Sequence, residues 1–248
     1  MSISTPVDLE GIRASGRAVA EALDAMRKAV VPGITTAELD AIGEAVLARR
    51  GARSAPRLVY DFPGCNCISV NEEIVHGIPR ARRLAPGDVL KLDVTASLDG
   101  YIADAADTVI VPPVPAETER LRLSAEGAFY DALAVAAVGQ RVNRIGLAVE
   151  RRAKRDGFAV IRELCGHGVG RTIHEEPEVP NYFAPFQKDR LTEGLVITIE
   201  PLFAARPARA VQTGDGWTIA THNGATAVHY EHTLIVTSAG PEIVTSLN

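Results

Sequence analysis

Residues 89–104 read VLKLDVTASLDGYIAD. The first seven of these residues are mostly apolar and partly β-branched, which predicts a strand. Asp99-Gly100 is typical of a tight turn, and a return strand after it would bring Asp93 and Asp104 to the same place. Either aspartate alone is more often a turn or cap residue, so only the two together indicate a functional site.

Helices and further strands are predicted on both sides of this stretch. An amphipathic helix is predicted at about 8–30. Thr35 and Glu38 have the spacing of a capping box and start a second helix, which ends near Gly51. The alternation of helices and strands predicts an α/β (α+β) fold. The other predicted elements are helices at about 117–137 and 143–155 and strands at 108–111, 195–200 and 232–237.

The chain shows signs of an internal repeat. Gly33 and Gly51 bracket one helix, and two glycines with the same spacing bracket another helix 106 residues later. Similarly, Asp93 ends one β-run and Glu200 ends another 107 residues later. Two sequence patterns that recur after almost the same number of residues predict two similar halves of one domain. The alternative is that glycines at helix ends and before strands recur at this spacing by chance. The halves would cover about 1–112 and 113–248, joined at the Pro-rich VPPVP, residues 111–115.

The composition limits the classes of function. The chain has 248 residues and a net charge of −5, and no specific nucleic acid is expected as a partner of so mildly acidic a surface. We expect no membrane span and no secretory signal, because the sequence has neither a run of about 18 apolar residues nor a basic segment followed by an apolar one at its start. Cys65, Cys67 and Cys165 are interpreted as reduced thiols of a cytoplasmic protein.

Five side chains at strand ends or beside glycines predict a metal site. Besides Asp93 and Asp104, Glu200 ends the run VITIEP and Glu231 interrupts VHYEHTLIV. Burying a carboxylate within a β-run is unfavourable unless it is paired or bound to a metal. His167 lies in CGHGVG, where glycines let the backbone approach a ligand, although one histidine in such a loop is more often structural. Together, four carboxylates and one imidazole suit a pair of divalent cations.

These residues lie in motifs that resemble a known family. The segments NEEIVHGIP, KLDVTASLDGYIADAADT, GHGVGRTIHEEPEV, TIEP and YEHTLIVT are similar, in the same order and spacing, to those of type I methionine aminopeptidases. The resemblance implies the pita-bread fold, in which helices cover a curved antiparallel sheet and two halves are related by a pseudo-twofold axis. It also implies a cytoplasmic hydrolase that removes the initiator methionine before a small second residue, using two divalent ions (Co, Mn, Fe or Zn).

The same resemblance implies a role for each metal ligand. Asp93 would chelate one ion, while Asp104 and Glu231 would bridge both ions. His167 and Glu200 would complete the shell of the other ion. Glu200 would also handle the proton of the attacking water.

Five further residues match positions that bind the substrate in this family. His174 would lie near the carbonyl oxygen of the scissile bond, and His76 near its amide. Phe62, Cys67 and Trp217, together with His76, fall where the family lines its methionine pocket. For Phe62 and Trp217, ordinary core packing is the alternative.

Several residues depart from the family pattern. Val59 and Ile173 stand where pocket aromatics are common, which predicts a roomier and more aliphatic methionine pocket. His229 replaces a glutamine two residues before the last ligand. It is predicted either to reach the metal site or the substrate backbone, or to serve only as a hydrogen-bond donor. Beside Asp104, a histidine, a glycine and a threonine of the pattern are replaced by Ile102, Ala103 and Ala105.

Two other interpretations remain open from the sequence. Prolidases and aminopeptidases P share the five ligands, but they usually carry a large extra N-terminal domain and a different histidine-rich loop. A non-catalytic relative would keep the fold and lose the ligands, whereas this chain has all five. The resemblance further implies nascent polypeptide N-termini as substrates and the ribosome exit region as a candidate partner. A monomer is expected.

Overall fold

The structure is a computed structural model that describes residues 1–247, so Asn248, the last residue of the predicted domain, lies outside the described range. The helices are α1 (Pro6–Ala29), α2 (Thr36–Arg49), α3 (Ala55–Tyr60), α4 (Ala116–Leu133) and α5 (Asn143–Asp156). The strands are β1 (Arg53–Ser54), β2 (Cys67–Val70), β3 (Glu73–Val75), β4 (Val89–Leu98), β5 (Tyr101–Ile110), β6 (Ala159–Val160), β7 (Cys165–Gly168), β8 (Glu175–Pro180), β9 (Val196–Ile199), β10 (Leu202–Ala204), β11 (Ala210–Gln212), β12 (Ile219–Thr221), β13 (Ala227–His229), β14 (Glu231–Ile235) and β15 (Glu242–Ile243).

A nine-stranded sheet lies at the centre of the molecule. Its strand order is β1-β4-β5-β14-β9-β7-β8, with β2 added to β4 and β15 added to β14, and all of these pairings are antiparallel. Two three-stranded sheets, β13-β10-β6 and β11-β12-β3, complete the strand pairing. The predicted mixed fold of helices and antiparallel strands is therefore confirmed. Within residues 1–247, no helix is long and apolar enough to cross a bilayer.

The β4–β5 hairpin is longer than the sequence predicted. Asp99 and Gly100 have φ angles of 51° and 79°, and two central residues with positive φ form the tight turn that matches the twist of paired strands. Pairing then continues without a break from Leu98↔Tyr101 onward, so the return strand starts there and not at residue 108. Asp93 lies opposite Ala106, and Asp104 lies opposite Thr95. Both carboxylates therefore share one face of the sheet.

Two helix pairs pack on the opposite face. Leu92, Val94 and Ala105 belong to a buried cluster with apolar residues of α1 and α2. Ile197 and Leu234, on β9 and β14, belong to a second cluster with α4 and α5. Because side chains alternate along a strand, the residues between these apolar positions face away from the helices.

The local signals in the sequence were mostly reliable. The Thr35 side chain accepts from the Glu38 N–H at 3.1 Å and Glu38 accepts from the Thr35 N–H at 2.8 Å, which confirms the capping box. The predicted helix at 117–137 instead ends at Leu133, because the N–H groups of Val135 and Ala136 bond to carbonyls three residues back and tighten the chain into turns. Residues 111–115 connect β5 to α4, and the division into two related halves stays a prediction.

Candidate metal and substrate site

One pocket, on the face of the sheet away from the helix pairs, brings together the predicted metal ligands and substrate-binding residues, but not Val59. The strand order explains this, because β14 lies between β5 and β9 in the sheet. Glu231 therefore pairs with Ala106 at the start of β14, while Glu200 follows the last residue of β9. The site residues that line the pocket are Asp93, Asp104, His167, Glu200, Glu231, His76, His174, Phe62, Cys67 and Trp217.

The four carboxyl groups and His167 form a tight cluster. His167 Nε2 lies 3.6 Å from a Glu200 oxygen. Ligand atoms of Asp104, His167 and Glu231 all lie within 4.8 Å of one another. Asp93 Oδ1 is buried and has no hydrogen-bond partner within residues 1–247. An orphaned carboxylate oxygen beside three other carboxyl groups fits a bound cation.

Burial shifts the pKa values of this cluster. It raises the pKa values of Asp93, Glu200 and Glu231 well above their usual range, and neighbouring carboxylates raise them further. Burial also raises the pKa of Asp104 to about 6, although a hydrogen bond from Thr95 Oγ1 at 2.9 Å opposes this shift. Four buried acids of this kind can be ionised together only if cations offset their charge. The donor set therefore fits divalent ions.

His167 is oriented as a metal ligand should be. Its Nδ1 lies 2.9 Å from the carbonyl oxygen of Gly168, and because a carbonyl only accepts, this nitrogen carries the proton. Nε2 is left unprotonated toward the carboxylates. Burial lowers the pKa of His167 to about 4, so the ring is neutral and its lone pair is available. The Thr198 hydroxyl accepts from the His167 N–H and donates to Glu200, each at 3.1 Å, and so fixes both residues.

The two other histidines border the cluster. The rings of His174 and His167 are 4.5 Å apart, and the Tyr60 hydroxyl lies 2.8 Å from Nδ1 of His174. His76 has φ of 57°, a conformation that residues with a side chain seldom adopt outside functional sites and turns. Burial lowers the pKa of both His76 and His174, so both rings are neutral near pH 7.

The apolar part of the pocket differs from the prediction in one residue. Val59 is 48% exposed and does not line the pocket. α3 instead turns Pro56 and Tyr60, which are four residues apart, toward the pocket. The prediction of a more aliphatic pocket is therefore wrong at Val59, because an aromatic ring stands next to it in sequence. Ile173 lines the pocket as predicted.

An aromatic pair forms another wall. Phe62 and Trp217 meet edge to face, with ring centroids 5.3 Å apart. Phe62 is 3% exposed, so it both packs and lines the pocket. Several residues of the site were missed from the sequence, among them Tyr60 and Thr198. Tyr60 had a signal in its spacing from Pro56, and Thr198 had one in its place two residues before Glu200 on the same strand face.

Comparisons with known proteins agree with this geometry. The chain is 40% identical to methionine aminopeptidase 2 of Bacillus subtilis over 249 residues, which is 100% of both chains. It is 38% identical over 247 residues to methionine aminopeptidase of Escherichia coli, covering 99% of this chain and 94% of the relative. The solved structure of methionine aminopeptidase from Thermotoga maritima has a TM-score of 0.96 at 34% identity, covering 99% of this chain and 100% of that chain.

The chain also shares its fold with peptidases whose sequences are less similar. Prolidase from Pyrococcus furiosus has a TM-score of 0.80 at 22% identity and covers 99% of this chain but 66% of its own, so it shares the fold alone. These matches confirm the pita-bread fold and the resemblance to methionine aminopeptidases. The sequence model of metallopeptidase family M24 matches residues 10–238. With a match of that length and relatives of 35–40% identity along nearly its whole length, the chain belongs to metallopeptidase family M24.

Proposed function

We propose that this protein is a methionine aminopeptidase that removes the initiator methionine from nascent polypeptides. The observation that carries the proposal is a single pocket in which a cluster of four carboxylates and a histidine adjoins a wall of apolar side chains. Such a pocket can bind an unbranched apolar side chain beside the groups that hydrolyse its peptide bond. The relatives named methionine aminopeptidase along the whole chain support the same assignment.

We infer that the carboxylate cluster holds two divalent ions, with Co, Mn, Fe and Zn as candidates. The residues that would hold them are Asp93, Asp104, His167, Glu200 and Glu231, with Asp104 and Glu231 shared between the two ions. Bound there, the ions would supply Lewis-acid chemistry, lowering the pKa of water and polarising a carbonyl group. The orphaned oxygen of Asp93 and the raised pKa values of its neighbours support this inference.

The protein's own side chains would then perform the proton transfers. Glu200 would take the proton of the attacking water on a carboxylate oxygen and deliver it to the leaving amine. His174 would donate a hydrogen bond from Nε2 to the carbonyl oxygen as negative charge develops there. This tautomer is the one that a Tyr60 hydroxyl donating to Nδ1 would favour. His76 would lie near the scissile amide.

The substrate side chain would pack against the apolar wall of the pocket. Phe62, Cys67 and Trp217 line it and offer a largely apolar surface to the methionine side chain. We expect a small residue to be required after the methionine, since the resemblance to methionine aminopeptidases implies a cramped position there. The substrates would be nascent chains in the cytoplasm, where three unbridged cysteines are compatible with a reducing environment. The enzyme would act as a monomer near the ribosome exit region.

A peptide-cleavage assay tests the proposal against its nearest alternative. Metal-depleted protein is supplied with Mn²⁺ or Co²⁺ and offered a Met-Ala-Ser peptide and an Xaa-Pro dipeptide. We expect release of free methionine that depends on added metal, with little cleavage of the dipeptide. Preference for the Xaa-Pro substrate would identify a prolidase, and no cleavage of either substrate by protein that has bound metal would identify a non-catalytic relative.

A further inference from the structure

His229 is a buried histidine that the proposed mechanism does not use. It ends β13, two residues before Glu231, and is 2% exposed. Both of its ring nitrogens are buried without a hydrogen-bond partner in the described part of the chain. Burying an unpaired polar group is unfavourable, so an imidazole in this position needs a partner that protein atoms do not provide.

The distances around His229 indicate what that partner is. Nε2 lies 3.4 Å from Oε2 of Glu231 and 3.7 Å from Oε2 of Glu200. Both distances exceed the range of about 2.7–3.2 Å for an N–H···O hydrogen bond. They are close to the separation of two atoms that bind one ion, since ligands about 2.1 Å from a metal lie roughly 3.0–3.4 Å apart at octahedral or tetrahedral angles.

The cluster divides into two groups of donors. Asp104, His167 and Glu231 form one, and Glu200, His229 and Glu231 form the other, with all ligand atoms of each group within 4.8 Å of one another. Glu231 belongs to both groups, and each group contains one imidazole. In the second group, the nitrogen donor is His229.

We propose that His229 is an additional metal ligand, binding through Nε2 the cation that Glu200 and Glu231 hold. The inference rests on the proposed metal centre and deepens it. Its consequence is metal selectivity, because imidazole favours ions such as Co²⁺ and Zn²⁺ over Mn²⁺ more strongly than carboxylates do. A histidine that merely supported Glu231 by hydrogen bonding would affect the binding of all these ions alike.

Calorimetric titration of the metal-free protein with Co²⁺ and with Mn²⁺ tests the selectivity. His229→Gln should weaken the binding of one Co²⁺ ion at least about tenfold, the lower end of the loss seen on removing even an indirect metal contact. The loss for Mn²⁺ should be smaller. His222→Gln is the matched control, because His222 is exposed on the surface and its ring accepts from the N–H of Arg209. This control should bind both ions as the wild type does.

The wild-type protein provides a second readout that needs no variant. In the proton spectrum of the Co²⁺-loaded protein, each ligating imidazole contributes one strongly shifted, exchangeable N–H signal. We expect two such signals, from His167 and His229. A single signal, or equal weakening of Co²⁺ and Mn²⁺ in His229→Gln, would overturn the inference while leaving the two-ion centre intact. A wild-type protein that binds neither ion would overturn the proposed function as well.

Discussion

The contact between Tyr60 and His174 yields the sharpest mutational prediction. Tyr60→Phe removes a hydroxyl that lies 2.8 Å from Nδ1 of His174 and leaves the ring in place. Without that donor, the imidazole no longer favours the tautomer with its proton on Nε2. Because Tyr60 is 44% exposed, an ordinary neutral hydrogen bond of about 0.5–1.5 kcal/mol is the appropriate magnitude. At about 1.36 kcal/mol per tenfold in rate, kcat should fall roughly 2- to 13-fold.

The assay measures kcat and KM for a Met-Ala-Ser peptide with saturating metal. We expect KM to change little, since the contact matters most when charge develops on the carbonyl oxygen. Tyr130→Phe is the matched control, because Tyr130 is also half-exposed, packs against Tyr230 and does not line the pocket. This variant should retain the wild-type kcat.

A double-mutant comparison decides whether the effect acts through His174. In a His174→Ala background, Tyr60→Phe should produce no further loss, because the group that it positions is gone. Equal losses of kcat in both backgrounds would refute the positioning role. A rise in KM alone would instead indicate that Tyr60 only lines the substrate pocket and does not position His174.

The remaining predictions concern the metal ligands, the oxyanion donor and the substrate. Asp104→Asn and Glu231→Gln should each lose tightly bound metal, measured by equilibrium dialysis, and nearly all turnover; near-normal activity in a metal-replete assay would remove the two-ion proposal. His174→Ala should lower kcat by about 10²–10³ with little change in KM, and a change in KM alone would make it a binding residue. Met-Ser peptides should be cleaved much faster than Met-Leu peptides, and equal rates would count against a cramped second position. Metal affinity should increase between pH 6 and pH 8, because burial raises the pKa of Asp104 to about 6 and that of Glu231 well above its usual range, so bound protons must leave when an ion binds. Calorimetry in two buffers of different ionisation enthalpy counts those protons, and finding none released at pH 6 would contradict the prediction.

The hairpin and the carboxylate cluster could be predicted because their signals are local. Asp99-Gly100 specifies a two-residue turn, and that turn fixes the register which brings Asp93 and Asp104 onto one face. Glu200 could be identified in the same way, because a carboxylate at the end of a β-branched run is visible in the local sequence. Glu231 could be assigned to the cluster because it interrupts an apolar β-run, although no local signal states that β14 lies between β5 and β9.

The face of a short helix is much harder to predict. α3 has six residues, and its rotation depends on Ser54, whose side chain accepts from the Arg57 N–H, and on the left-handed Asp61 that ends it. Each residue along a helix turns the side chain by about 100°, so an assignment that is wrong by one residue changes the surface that is reached. Val59 was assigned to the pocket from the resemblance alone, and the rotation of α3 instead turns the neighbouring Tyr60 toward it.

Alternation along the strands lets this fold keep its stability and its chemistry on separate faces. Leu92 and Val94 pack against helices, while Asp93 between them faces the pocket. A register shift of one residue would place the carboxylate among apolar side chains and expose both of its neighbours. The ten-pair hairpin and the two helix pairs make that shift unfavourable, so a cluster of mutually repelling carboxylates is held in place before any ion arrives. Bound cations offset the free energy needed to ionise acids held this close together, and this links metal affinity to the packing on the far side of the sheet.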